Sequence, residues 1–124
     1  MLQGLAHQTD RNFEVIVADD GSREEQQRMI LESGVAKSLN LTHVWHPDIG
    51  FTASRVRNRG VAAARGSYIV FLDGDCVRAL DFMPLHKALA PAGFFVNGSR
   101  VLPPPRPPLR GPAGTGQRAW HGPL

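Results

Sequence analysis

The sequence predicts an α/β fold, and three features of its pattern carry that expectation. Short, β-branched apolar runs recur at 13–18, 41–46 and 67–72. Segments with apolar residues at helical spacing separate them, the alternation that builds a mostly parallel sheet with helices on its faces. The first and third runs also lead directly into acidic turns, Asp19-Asp20 and Asp73-Gly74-Asp75.

Phe13-Glu14-Val15-Ile16-Val17-Ala18 is almost continuously apolar, as expected of a strand covered on both faces. Asp19-Asp20-Gly21-Ser22 then reads as a turn. Ser22-Arg23-Glu24-Glu25 fits a capping box, with Ser22 at the N-cap and Glu25 reaching back. The helix it opens runs to about Glu32 and closes on Gly34. Leu41 to His46 alternates as a second strand, ended by Pro47-Asp48. From Thr52 to Arg65, Ala53, Val56, Val61 and Ala64 recur at helical spacing, and Gly66 is a natural residue for leaving that helix. Ser67-Tyr68-Ile69-Val70-Phe71-Leu72 is the clearest strand pattern in the chain. Asp81 suits the start of a short helix carrying Leu85, His86 and Leu89, and Phe94-Phe95-Val96 reads as a last strand. Trp45, Phe94, Phe95 and Cys76 are expected in the core.

Composition narrows the function classes. The chain has 124 residues and a formal net charge of +3. Residues 1–102 hold 11 Lys/Arg and 11 Asp/Glu, so the whole excess comes from Arg106, Arg110 and Arg118. A neutral body argues against nucleic acid as a partner. No run approaches the roughly 18 apolar residues of a membrane helix, so no transmembrane segment is expected. The first residues lack the basic and apolar regions of a signal peptide. With Cys76 alone there is no intrachain disulfide. The expectation is a cytoplasmic chain. Residues 103–124 hold 7 of the 10 prolines and 4 of the 13 glycines, which predicts a disordered low-complexity tail outside a domain at 1–102. Its Pro104-Pro105-Arg106-Pro107 has the spacing of a polyproline II ligand, the non-enzymatic alternative for this chain. Such composition also arises when GC-rich DNA is translated out of frame.

The chemistry-bearing residues sit at the acidic strand ends. In open α/β sheets, ligands bind beyond the carboxyl ends of the strands. A carboxylate pair there suits a hard divalent cation that keeps waters and phosphate oxygens as its other ligands. Gly74 between the two acids lets a phosphate approach closely. Each Asp-Gly pair is equally ordinary turn chemistry. Asp19 suits a helix start, Arg55, Arg59 and Arg65 suit a solvated helix face, His46 suits a capped strand end, and His86 suits packing.

Taken together, four motifs resemble those of the family 2 glycosyltransferases, which have the GT-A fold. They are Phe13 to Ser22, Gly50-Phe51 leading to Arg57-Asn58-x-Gly60, Ala64-x-Gly66-x-Tyr68, and Leu72-Asp73-Gly74-Asp75. Leu5-x-x-Gln8-Thr9, the span from His86 to Gly98-Ser99-Arg100, and Trp45 to Phe51 fit the same family. The resemblance implies an incomplete GT-A, Rossmann-like, three-layer half-domain and a hexosyltransferase type of activity. A sugar would move from a nucleotide diphosphate sugar, a UDP-sugar by expectation, to a glycan or other acceptor. It implies Asp20 at the nucleobase, Arg57 and Asn58 near the nucleotide and sugar, and Asp73 at the ribose or metal. Asp75 is implied as the main ligand of a divalent metal, Mn²⁺ or Mg²⁺. A receiver-like phosphoacceptor domain also places acids at two strand ends, but no late strand here ends in the lysine such a site uses.

Two departures qualify the resemblance. The family begins with an apolar strand and a Pro-Thr-x-Asn-like turn before the helix that contains Leu5 and Gln8. This chain starts inside that helix, so the strand expected between 13–18 and 68–72 is absent. Its neighbours would be left with unpaired backbone groups, each costing about 1–3 kcal/mol where buried. The family's acidic catalytic base also follows the segment ending at Arg100-Val101-Leu102, whereas Asp81 is the last acid here. No catalytic residue is assigned, and weak or absent turnover is expected.

Overall fold

The computed structural model of the protein describes residues 1–50, 52–76, 78–90 and 92–98. Two parallel strands form its sheet, β1 (Val15–Asp20) and β2 (Leu41–His46), in a register that sets Val15 beside Leu41 and Asp20 beside His46. Five helices accompany them: α1 (Leu2–Ala6), α2 (Glu24–Leu31), α3 (Gly34–Lys37), α4 (Ala53–Ala63) and α5 (Phe82–Ala88). Two strands alone are marginal in water, so the sheet depends on the helices that cover it.

Helix α4 covers one face. A Cβ added to Gly60 would lie 3.6 Å from both the Ala18 Cβ and the Ile16 Cγ2, so this turn of the helix rests on β1. Val56, one turn earlier, is buried. On the other side, Val17 lines a cavity of about 480 Å³ together with Met1, Leu2, Ile30, Val35 and Gly74. Helices on both sides of a parallel pair agree with the three-layer arrangement that the family resemblance implies.

Several elements differ from expectation, each for a physical reason. β1 runs to Asp20, so both acids belong to the strand instead of to a turn beyond it. Helix α2 starts after Arg23, not Ser22. The Ser22 amide is bonded to Asp19 Oδ1 at 2.9 Å and its carbonyl accepts from Gln27 and Trp45, which holds Ser22 in the turn. The box closes one residue later, with the Arg23 amide donating to Gln26 Oε1 at 3.1 Å. Gly34 opens α3 instead of closing α2, because the Ser33 hydroxyl accepts the Ala36 amide and caps a new turn.

Gly66 has no left-handed conformation; the chain leaves α4 through an extended Ala64. The Glu14 carboxylate accepts the Arg65 and Gly66 amides at 2.7 and 3.0 Å, so an acid takes the glycine's place in turning the chain. Those amide bonds, the Arg65 amide first, outweigh desolvation and hold the Glu14 carboxyl below its usual range.

Neither 67–72 nor 94–96 is a strand. Among the described residues, no strand lies beside 67–72 to complete a ladder, and an apolar run without a hydrogen-bonded neighbour has no means of satisfying its backbone as a strand. Phe95 is 90% exposed and Trp45 41%, so neither is a core residue; the indole N–H of Trp45 donates to Ser22 O. Cys76 is buried as expected. Residues 103–124, with the predicted tail and its polyproline motif, lie outside the described residues.

The core is small, and a buried amide helps to hold the ends of the domain together. α1 stops at Ala6, leaving Gln8 just beyond it. Gln8 Nε2 donates to Ala79 O at 2.6 Å and Gly4 O at 3.0 Å, while Oε1 accepts the Met83 amide at 2.9 Å. That last bond serves the start of α5, where the Asp81 side chain makes no cap bond. Lys87 Nζ adds bonds to Asp10 Oδ2 and Asn12 O, both at 2.7 Å. Replacing Gln8 with Ala leaves the Met83 amide and Ala79 carbonyl without these partners. The expected cost is about 1–3 kcal/mol, read as a lower urea midpoint at unchanged slope.

Candidate functional site

Alternation along β1 sends its two terminal acids to opposite faces. The register does the same for the histidines of β2, so each acid meets one of them. Asp19 Oδ2 lies 2.9 Å from His43 Nε2, with both side chains nearly or wholly buried. Burial alone would raise the Asp19 carboxyl, but hydrogen bonds from Ser22 and from His43 together outweigh it and hold it below its ordinary range. Asp19 is therefore a structural acid that ties the end of β1 to β2 and to the turn.

Asp20 has a different setting, on the face covered by α4. Its Oδ1 lies 3.0 Å from His46 Nε2 and accepts the Thr52 hydroxyl at 2.7 Å. His46 is 2% exposed, and its Nδ1 lies 2.8 Å from Pro47 O. Both ring nitrogens thus lie close to oxygens of neighbouring groups. Thr52 occupies the N-cap position of α4, yet its side chain makes no cap bond. The hydroxyl is spent on Asp20 in place of a cap typically worth about 1 kcal/mol.

The second acidic corner meets α4 at Arg57. The ligand atoms of Asp73, Asp75 and Cys76 fall within 4.8 Å of one another. Both carboxylates are exposed, while the thiol is buried and lies 3.5 Å from Asp75 Oδ1. Two open carboxylates are a hard oxygen donor set that leaves room for waters and phosphate oxygens, so Asp73 and Asp75 fit a divalent cation. A thiol suits softer ions, which leaves Cys76 a packing residue. Arg57 Nη2 stands 3.7 Å from Asp73 Oδ1.

The structure thus brings together Arg57, Asp73 and Asp75, and holds Asp20 at the start of the same helix. Thr52 and Arg57 are five residues apart, about 7.5 Å of helix rise. Asn58, the remaining predicted residue, is exposed on α4, and its side chain makes no hydrogen bond among the described residues. The residues that sequence reasoning left out are His46 as a partner and Thr52. Their signal was available in principle: two strands ending in Asp20 and His46 are neighbours if paired in parallel, and Thr52 directly precedes a helix. Arg55 and Arg59 are exposed on α4 as expected, whereas Arg65 lies beyond the helix end with its Nε 3.2 Å from Glu14 Oε2; His86 packs on Phe82 with ring centres 4.4 Å apart, as expected.

Gly21 fixes the approach to Asp20. Its φ is +90°, and an added Cβ would fall 2.6–2.8 Å from the Cβ, Cα and N of Asp48. Only glycine fits, because backbone atoms cannot yield as a flexible side chain tip does.

A parallel strand pair between helical layers, with acids at the carboxyl end of a strand, places those acids where open α/β sheets bind their ligands. Comparison with known proteins makes the class specific. The profile of the family described as Glycosyl transferase family 2 matches residues 1–100, and the chain belongs to that family. The described residues are accordingly part of a GT-A, Rossmann-like half-domain, and the receiver-like alternative is set aside. The chain is 41% identical over 64 residues to a chondroitin synthase of Escherichia coli, covering 52% of this chain and 9% of that protein. It is 41% identical over 63 residues to a hyaluronan synthase of Pasteurella multocida, covering 51% and 6%. It is 32% identical over 74 residues to the amylovoran biosynthesis glycosyltransferase AmsB of Erwinia amylovora, covering 60% and 25%. The matches therefore span a quarter or less of those relatives' length. No solved structure matches the chain. Among the described residues, no helix is long and apolar enough to cross a membrane.

Two outcomes are expected. Gly21→Ala should lower stability by about 1–3 kcal/mol through left-handed strain and the clash with Asp48, measured by thermal or urea unfolding. The Asp19 carboxyl, depressed in the folded state, contributes stability that is present above its unfolded value near 3.9 and lost as pH falls through the folded value. Asp19→Asn should therefore be less stable than the natural chain at pH 7. The gap should narrow as denaturation midpoints are followed down through pH 4 and below.

Proposed function

We propose that these residues form the donor half-site of a metal-dependent sugar transferase that uses a nucleotide diphosphate sugar, a UDP-sugar in particular. One observation carries the reading: α4 touches both acidic corners, Asp20 through Thr52 at 2.7 Å and Asp73 through Arg57 at 3.7 Å. A nucleoside diphosphate has its two demanding ends, base and diphosphate, a similar short distance apart. In this reading Asp20 accepts a hydrogen bond from the base. Asp75 and Asp73 hold Mn²⁺ or Mg²⁺, with Asp73 also near the ribose. Arg57 and Asn58 lie along the nucleotide and sugar.

When bound, the cation supplies charge neutralisation for the departing diphosphate. Arg57 adds a fixed guanidinium to the same end, so charge that develops on the phosphate oxygens meets a preplaced cation and not water. Asp20 and the β1–β2 pair fix the base, which orients the remainder of the donor. Relatives named for chondroitin and hyaluronan synthesis favour a glycan acceptor and hexose-type donors. The last acid in the chain is Asp81, so the proposed role is donor binding, with no base catalyst among these residues.

Thermal unfolding with and without Mn²⁺ and UDP tests this reading. At ligand concentrations about a hundredfold above Kd, the expected gain is about 2.7 kcal/mol. Asp75→Asn should abolish the part of the shift that needs Mn²⁺. An unfolding curve that neither ligand moves would refute the proposal.

A further inference from the structure

Segment 67–72 is held near both ends and bare in the middle. At its start, the Gly66 amide donates to Glu14 Oε1 at 3.0 Å, and the Tyr68 hydroxyl stands 3.3 Å from His86 Nδ1. Beyond its end, the Asp73 carbonyl accepts the Cys76 amide at 3.2 Å, and Asp73 Oδ1 lies 3.7 Å from Arg57 Nη2. Between these ties Ile69 is 40% and Phe71 64% exposed, while Val70 and Leu72 are half-buried, so exposure alternates from Ile69 to Leu72. Among the described residues, no backbone hydrogen bond forms at any position from 67 to 72. A β-branched and aromatic run with free amides and carbonyls and an apolar outward side is what an uncovered sheet edge presents to another chain.

We propose that this segment is a self-association site, through which two copies of the chain pair antiparallel. The charges at its two ends select both a second copy and that direction. Arg65 stands just before the segment with its side chain 72% exposed, and Asp73 just after it with its side chain 62% exposed. Asp75 follows two residues later and is exposed as well. An antiparallel copy sets its acidic end beside Arg65 and the partner's Arg65 beside these acids, so the match is made twice. A parallel copy would set arginine against arginine and acid against acid. About a two-fold axis at Val70, Ile69 stands opposite the partner's Phe71, and Phe71 opposite the partner's Ile69. The pairing thereby covers the two most exposed apolar side chains of the segment. Pairs of an aromatic with a β-branched residue are among the favourable cross-strand neighbours. The same patch is used on both copies, so the contact closes as a dimer. It also brings a second arginine to the acidic corner, where one copy supplies Arg57.

Sedimentation equilibrium of the full 124-residue chain tests the proposal. Across about 10–1,000 μM, the range expected of a small transient contact, the mass should rise from 13.5 kDa toward twice that value and no further. Raising NaCl from about 50 to about 500 mM should weaken the dimer, since screening removes the attraction between the paired ends. Ile69→Lys and Phe71→Lys should each raise the dissociation constant about tenfold or more, because each sets an ammonium against an apolar side chain. Met29→Lys, on α2 at a residue 70% exposed, should change it less than about twofold. The salt series uses the natural chain alone and decides the question even where a variant fails to fold.

A chain that stays monomeric at about 1,000 μM overturns the proposal. So do species larger than a dimer, a dimer that Phe71→Lys leaves intact, and equal weakening by Met29→Lys. Association that strengthens with salt overturns it too, because a parallel or purely apolar contact behaves that way. None of these outcomes bears on the donor site.

Discussion

The seating of α4 on the strand pair is the constraint on which the rest of the structure depends. Its N-cap residue meets the end of β1, where the Thr52 hydroxyl bonds Asp20. Val56 is buried, and Gly60 stands over Ile16 and Ala18. Beyond its end, Glu14 at the approach to β1 receives the Arg65 and Gly66 amides. These contacts tie both ends of one helix to one strand, which fixes its position along β1. Arg57 then has little freedom about where it stands, and the ion pair with Asp73 follows from that position. A shift of one residue in the register of α4 would rotate the helix by about 100° and separate both pairs.

The polar groups at the carboxyl end of the sheet have the same logic on a smaller scale. Burying a carboxylate is unfavourable unless charge and hydrogen bonds replace the lost water. The parallel register supplies the replacement twice, with His43 beside Asp19 and His46 beside Asp20. The two pairs are not equivalent. Asp19 is engaged at both oxygens, one by Ser22 and one by His43, and has nothing left to offer a ligand. Asp20 is engaged at one. Two adjacent acids of identical type therefore serve different purposes, and the hydrogen-bond partners separate them where residue identity does not.

How much was legible in the sequence follows from which forces are local. β2 is found at Leu41–His46 as the alternation predicts, because a run bounded by Pro47 has little choice of limits. Helix α4 lies within the predicted span because apolar spacing and burial agree. Local signals failed where a distant group competed for the same atoms. Ser22 was readable as a cap, but Asp19 and Trp45 engage it first. Gly66 was readable as a helix end, but Glu14, far away in sequence, takes that role. Gln8 gave no sign of its importance, since its three partners lie in two other parts of the chain. At the candidate site, residue types nominate Asp20, Asp73 and Asp75, while only three-dimensional pairing reveals His46 and Thr52 as neighbours of Asp20.

The segment 67–72 shows why a strand pattern is a conditional statement. Its residues have the β propensity of β1, yet they form no ladder, and Phe71 and Ile69 are exposed. Propensity of this kind measures how well a side chain suits a pleated, half-buried surface, so it has force only once a neighbour supplies that surface. Between β1 and the turn at Gly74 lies the apolar cavity that Val17 helps to line, where no described strand bridges the two. The acidic turn at Asp73 is consequently held by α4 through Arg57 and by its own Asp73 O to Cys76 amide bond at 3.2 Å, and not by a sheet. A corner held through one exposed ion pair is weakly fixed, because such pairs contribute about 0–1 kcal/mol. The corner at Asp19 and Asp20, where each acid lies against a histidine of β2, is the more firmly held of the two. The two exposed carboxylates at the second corner lie close enough to repel each other, so little in the described residues fixes their relative placement.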